Sequence, residues 1–152
     1  MRSTVSLAVL VLFTAAAARV CASGLDDKTF DQQSIDALQA KAIQAQTREQ
    51  CFLYAELVHQ MTEVSVRQYA AGDVANATSM LKRIQLLVHK IHLSVSDNDK
   101  RLRSAEILLR HTAFRLGEML HNSSVEDRPL VAETLAQVNQ AQSEAMMQVF
   151  RK

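Results

Sequence analysis

Ala77, Leu81, Ile84, Val88, Ile91, Val95, Asn98, Leu102, Ala105, Leu109, Thr112, Leu116 and Met119 follow one another at alternating spacings of four and three. Only an α-helix returns to one face at that interval, and the alternation is that of a packed helical seam. The register runs straight through "SDNDK" at 96–100. It predicts one helix over 74–120, with Asn98 as a polar core position that fixes register. Asp and Asn are poor helix formers, so the competing reading breaks this helix near Asp97.

The rest of the chain agrees with a helical class. Among 152 residues there are 3 Gly, 1 Pro and 5% aromatics. No stretch alternates β-branched and aromatic residues as a strand does. The expectation is an all-α fold, an antiparallel helical bundle of three long helices, or four if the middle one breaks near Asp97. A first helix over 33–71 carries an apolar face of Tyr54, Leu57, Met61 and Val64, with Leu53 and Val58 beside it. The pattern weakens before Thr47, which is where a kink would fall. Gly72 suits the left-handed residue that ends a helix, and Asp73 suits the cap of the next. The last helix, over 126–150, buries Val131, Leu135, Val138, Gln142, Ala145 and Val149. Ser124 and Asp127 form its capping box, and Pro129 lies in its first turn.

The first residues differ from the rest. Arg2 precedes an apolar run, "VSLAVLVLFTAAAA", and "RVCASG" then offers small residues to a signal peptidase. Residues 1–23 read as a secretory signal peptide, 24–32 as a flexible segment, and 33–152 as the helical domain. The apolar run is shorter than the roughly 20 residues that span a bilayer, so no transmembrane segment is expected after cleavage. The residues before Cys21 (Ala18, Arg19 and Val20) do not make a lipobox. Cleavage removes Arg2 and Arg19 and no acid, so the formal charge falls by two from +1 to −1. A near-neutral protein advertises no partner through net charge. Cys51 is then alone, and is either buried or paired between chains.

Two segments invite a metal reading. "ELVH" at 56–59 and "EMLH" at 118–121 repeat the Glu-x-x-His arrangement of ferritin-like di-iron bundles. At about 100° per residue, however, Glu56 and His59 fall opposite Leu57 and Met61, on the side of Glu49 and Glu63. Glu118 and His121 likewise point away from Thr112, Leu116 and Met119. The expectation is two surface pairs. His89 and His92 share one side of the middle helix, but a firm site needs a third or fourth ligand. Met61, Met80, Met119, Met146 and Met147 offer haem ligands, yet Met at helical spacing is usually core filler. No resident cofactor is expected. There is no G-x-S-x-G elbow, no His near Cys51 and no glycine-rich phosphate loop, so no enzymatic activity is expected either.

Lys82, Arg83, His89, Lys90, Arg103, Arg110 and His111 all map to the outward side of the continuous middle helix. Such a stripe either meets an anionic partner or is a solvated face neutralised by the outer helices. No aromatic residue interleaves it, which argues against nucleic acid.

The stretches "REQCFLYAELVHQMTE" and "RLRSAEILLRHTAFRLGEMLH" resemble a group of small exported helical proteins of soil bacteria that has no assigned activity. The resemblance spans nearly the whole mature chain. It implies export and an all-helical fold, and transfers no functional residue. The expectation is a non-enzymatic exported binding or envelope-associated module, periplasmic or extracellular. Its partner would be a protein or an anionic envelope component, and it could form a homodimer through the long helix. Alternatives are a metal- or haem-binding bundle and a periplasmic chaperone or stress adaptor.

Overall fold

The computed structural model describes residues 30–93 and 99–151. The expected signal peptide and the first part of the 24–32 segment lie outside them. The described residues form five α-helices and no strand: α1 (Gln32–Gln44), α2 (Thr47–Ala70), α3 (Val74–Leu93), α4 (Asp99–Asn122) and α5 (Arg128–Val149). The class is all-α, but neither three nor four helices describes it.

The first expected helix is two helices. Asp31 caps α1 by accepting from the Ser34 N–H at 2.7 Å. Ala45 and Gln46 then take extended conformations and the chain turns. Arg67 donates to the Phe30 carbonyl at 2.8 Å, so the start of α1 lies near the end of α2. Helix α1 therefore folds back along α2 and buries Ile35 and Ala42. What looked like a kink is a reversal.

The middle helix is also two. Helix α3 ends at Leu93 and α4 begins at Asp99, and Val95 and Asn98 lie outside the described residues. Every described member of the four-three stripe is nonetheless buried, from Ala77 to Ile91 and from Leu102 to Met119. The physical reason for the break is one of length. A helix over 74–120 would run about 70 Å at about 1.5 Å per residue. Helix α2, at 24 residues, covers about half of that. A rod of that length would leave part of its apolar stripe in water, whereas two helices bury both halves.

The four longer helices form two hairpins. In the first, α2 meets α3 through a Schellman turn. Gly72 takes φ +82°, its N–H donates to the Tyr69 carbonyl, and the Asp73 N–H donates to the Gln68 carbonyl. Ser65 Oγ donates to the Ala77 carbonyl at 3.0 Å across the hairpin. In the second, Gln142 reaches Glu106 at 3.0 Å, which sets α4 antiparallel to α5.

The hairpins stack with α2 against α4 and α3 against α5. His59 meets Thr112 and Glu63 meets Arg115, so α2 and α4 advance in the same direction. The bundle is thus not antiparallel throughout. Helices α3 and α4 sit at opposite corners and do not pack on each other. With α1, α3 and α4 around it, α2 is buried on most of its circumference, including Leu53, Tyr54, Ala55, Leu57, Val58, Met61 and Ser65.

The start of α5 departs from the expected capping box in an informative way. The helix begins at Arg128, not at 126. The Asp127 N–H donates to Ser124 Oγ at 3.1 Å, which is half of a capping box. The reciprocal half is bridged by another helix. The Ser124 N–H donates to Tyr69 Oη at 2.9 Å, and Tyr69 Oη donates to Asp127 Oδ2 at 3.0 Å. The end of α2 is thereby tied to the start of α5.

Candidate functional site

The two Glu-x-x-His pairs do not face one another. Glu56 is half-buried on α2. His59 does not lie on an open polar surface as expected, because α4 covers that side of α2. A three-helix plan gave α2 too few neighbours, and the error follows from that. The Thr112 hydroxyl donates to the Leu108 carbonyl at 2.8 Å, so its oxygen accepts from His59 Nδ1 at 3.2 Å. That assigns the proton to Nδ1. Desolvation lowers the His59 pKa, and the charges of His111 and Arg115 push the same way against Glu63. The imidazole is therefore neutral near pH 7.

One turn further along, Arg115 clamps two carboxylates. Its Nε donates to Glu63 at 2.8 Å across the helix pair, and its Nη1 donates to Glu118 on its own helix. These bonds raise the Arg115 pKa. Arg115 thereby ties the second hairpin to the first through Glu63. Glu118, the acid of the second pair, is already taken by Arg115. His121 is exposed and donates from Nδ1 to the Gly117 carbonyl at 2.8 Å. His89 is exposed on α3, while His92 belongs to the last turn of α3 and its side chain lies outside the description. No group of three or more His, Cys, Asp or Glu able to hold a metal occurs among the described residues.

Cys51 is 3% exposed, and burial pushes its thiol up to about 11. It behaves as a small core hydrophobe.

The basic stripe does not survive as one stripe. Its members on α3 and α4 occupy opposite corners of the bundle. On α3, Lys82 is exposed, Arg83 donates to Gln39 of α1 at 3.3 Å, and Lys90 lies 5.6 Å from the centre of the Tyr54 ring. On α4, Arg103 and Arg110 are exposed and make no ion pair among the described residues. His111 is exposed beside them.

What surrounds Arg103 and Arg110 escaped the sequence reading. Ile107 and Phe114 lie on the same outward line of α4, 44% and 65% exposed, so an aromatic ring does stand beside the basic residues, contrary to the expectation from the stripe taken only as far as His111. Across the groove, Met146 and Phe150 of α5 are 42% and 75% exposed. Met147 is also exposed, so neither terminal Met is core filler, unlike Met61, Met80 and Met119. The groove between the helices encloses about 430 Å³ and is lined by Arg103, Ile107, Arg110, Met146 and Phe150, with Glu106 and Val149 at its floor. The signal was present in the sequence as apolar residues lying off the buried stripe.

A second groove, about 640 Å³ between α3 and α5, is lined largely by Gln85, Leu86, His89, Gln137 and Gln140. No helix among the described residues is long and apolar enough to cross a membrane. No family model, no curated protein and no solved structure matches the chain.

Proposed function

We propose that this chain is a non-enzymatic, exported helical-bundle protein that acts as a binding module and associates with an anionic component of the cell envelope or an anionic protein. The observation that supports this reading is the outer face of α4, where Arg103 and Arg110 are exposed without an ion pair among the described residues and alternate with Ile107 and Phe114. Exposed large apolar groups beside cations held in no ion pair favour association over solvation. Export rests on the leader-like residues 1–23.

The test is fractionation of cells that export the protein by its own leader. Mature protein should sediment with envelopes at low ionic strength and be released by salt, because exposed charge pairs are screened. Reversing both cations, Arg103→Glu with Arg110→Glu, should move it to the soluble fraction. Full solubility of the parent at low salt, or retention unchanged by the double reversal, overturns the reading.

A further inference from the structure

We infer that the outer face of α4 and α5 docks on a bilayer surface that carries anionic phospholipids. This rests on the proposed function and names the chemistry of its partner.

The decisive feature is how cation and apolar group are mixed. Arg103, Ile107, Arg110 and Phe114 succeed one another at spacings of four, three and four. That spacing puts them on one line of α4, opposite the buried Leu109, Thr112 and Leu116. Cation and apolar side chain are interleaved within single turns, not segregated into separate patches. A matching partner must present negative charge and hydrocarbon within a few ångströms of each other. An anionic lipid headgroup above its acyl chain does this in one molecule. Long basic side chains keep their charged heads at the headgroup level while their stems, and the apolar side chains between them, lie against the acyl boundary.

The shape of the face favours a bilayer over a single bound amphiphile. Ile107, Met146 and Phe150 line the groove of about 430 Å³, but Phe114 stands outside it. Phe114 lies seven residues from Ile107, about 10 Å along the helix at about 1.5 Å per residue, with Arg110 between them. Apolar anchors separated by a cation suit a surface that deforms around each one. A second copy of this chain is a poorer occupant. Two-fold pairing of the face places Arg103 and Arg110 against their own copies. The nearest acids are already engaged, Glu106 by Gln142 and Glu118 by Arg115.

The experiment uses the leaderless folded protein and vesicles of two compositions, phosphatidylcholine alone and phosphatidylcholine with phosphatidylglycerol. The chain has no Trp, so Phe114→Trp supplies a single reporter for spectroscopy beside co-sedimentation of the unaltered protein. We expect binding only to the anionic vesicles, weakened by salt, with a blue shift of the reporter. Arg103→Glu with Arg110→Glu should lower the partition coefficient at least about tenfold, on the usual scale for basic side chains at an anionic surface. Phe114→Ser with Phe150→Ser should lower it while leaving the helical circular dichroism unchanged, since both side chains are exposed.

Equal binding to both vesicles, no binding to either, or indifference to both double variants overturns the inference. Binding of a free long-chain carboxylate without vesicle binding overturns it as well, in favour of a groove for single amphiphiles. If vesicles fail while salt-releasable envelope retention persists, the lipid surface is wrong and the proposed function stands with a protein or polymer as partner. If both fail, both readings fall.

Discussion

Replacing Tyr69 by Phe removes a single oxygen that links three helices. That hydroxyl, at the end of α2, accepts from the Ser124 N–H at 2.9 Å just past α4 and donates to Asp127 Oδ2 at 3.0 Å at the start of α5. After its loss Asp127 keeps the bond from Ser124 Oγ, at 2.8 Å, and the exposed Ser124 N–H turns to water. A neutral hydrogen bond contributes about 0.5–1.5 kcal/mol net and one to a charged group about 1.5–3. Water reaches both ends of the bridge, so the lower values apply and their sum is about 2 kcal/mol. Urea unfolding measures it directly. At a slope of about 2 kcal/mol/M, the midpoint should fall by about 1 M with the slope unchanged. Asp127→Asn and the double variant close a thermodynamic cycle. Tyr69 and Asp127 touch, so a coupling of at least about 0.5 kcal/mol is expected. A shift below about 0.3 kcal/mol, or additive single variants, would refute the idea that this bridge holds the hairpin ends together.

Three other expectations follow from the same geometry. Gly72→Ala should destabilise by about 1–2 kcal/mol through backbone strain alone, since φ is +82° and nothing lies within 4 Å of an added Cβ; Gly72→Asn should cost less in the same unfolding assay. His59 has a lowered pKa in the fold, so the unfolded chain takes up its proton first, near pH 6.5. Its contribution is full above that pH and is lost as the pH falls toward the folded value, and His59→Gln should flatten the stability profile below pH 7 in paired melts. The Cys51 thiol should resist iodoacetamide at pH 8 in the native protein and react once urea unfolds it; prompt stoichiometric labelling of native protein would contradict its burial.

The buried stripe of α3 and α4 was legible residue by residue, those of α2 and α5 less so, since Val64, Leu135 and Gln142 are only half-buried, and the connectivity was not. A four-three stripe reports which side of a helix is apolar. It carries no information on whether the chain has reversed between one repeat and the next. Phase was kept across 96–100, so the pattern looked continuous although two antiparallel segments satisfy it equally. The polar "SDNDK" was the only warning. Between α1 and α2 the warning was only the apolar pattern weakening before Thr47, because Ala45 and Gln46 are ordinary helix formers and the Gln46 side chain makes no capping bond. At Gly72 the outcome was legible because a left-handed residue has a chemical signature. Site residues suffered in proportion. The paired charges of the α2–α4 seam depend on how many neighbours α2 has, which no periodicity counts. The outer face of α4, by contrast, could have been found by asking why Ile107, Phe114 and Phe150 stand off the stripe.

Stacking two hairpins side by side also sets the order in which contacts become affordable to a folding chain. Within each hairpin, α2 meets α3 and α4 meets α5 across short connections, so closing those pairs costs little loop entropy. The seam joins His59 to Thr112, 53 positions away, and must wait until both hairpins can meet as units. Variants in the seam, such as Thr112→Val or Glu63→Gln, are therefore expected to speed unfolding and leave the folding limb of a chevron nearly unmoved. Truncations inside a hairpin, such as Leu81→Ala, should slow folding instead. If the rates respond in this way, the two hairpins form first and the native lifetime of the bundle is set by the seam between them.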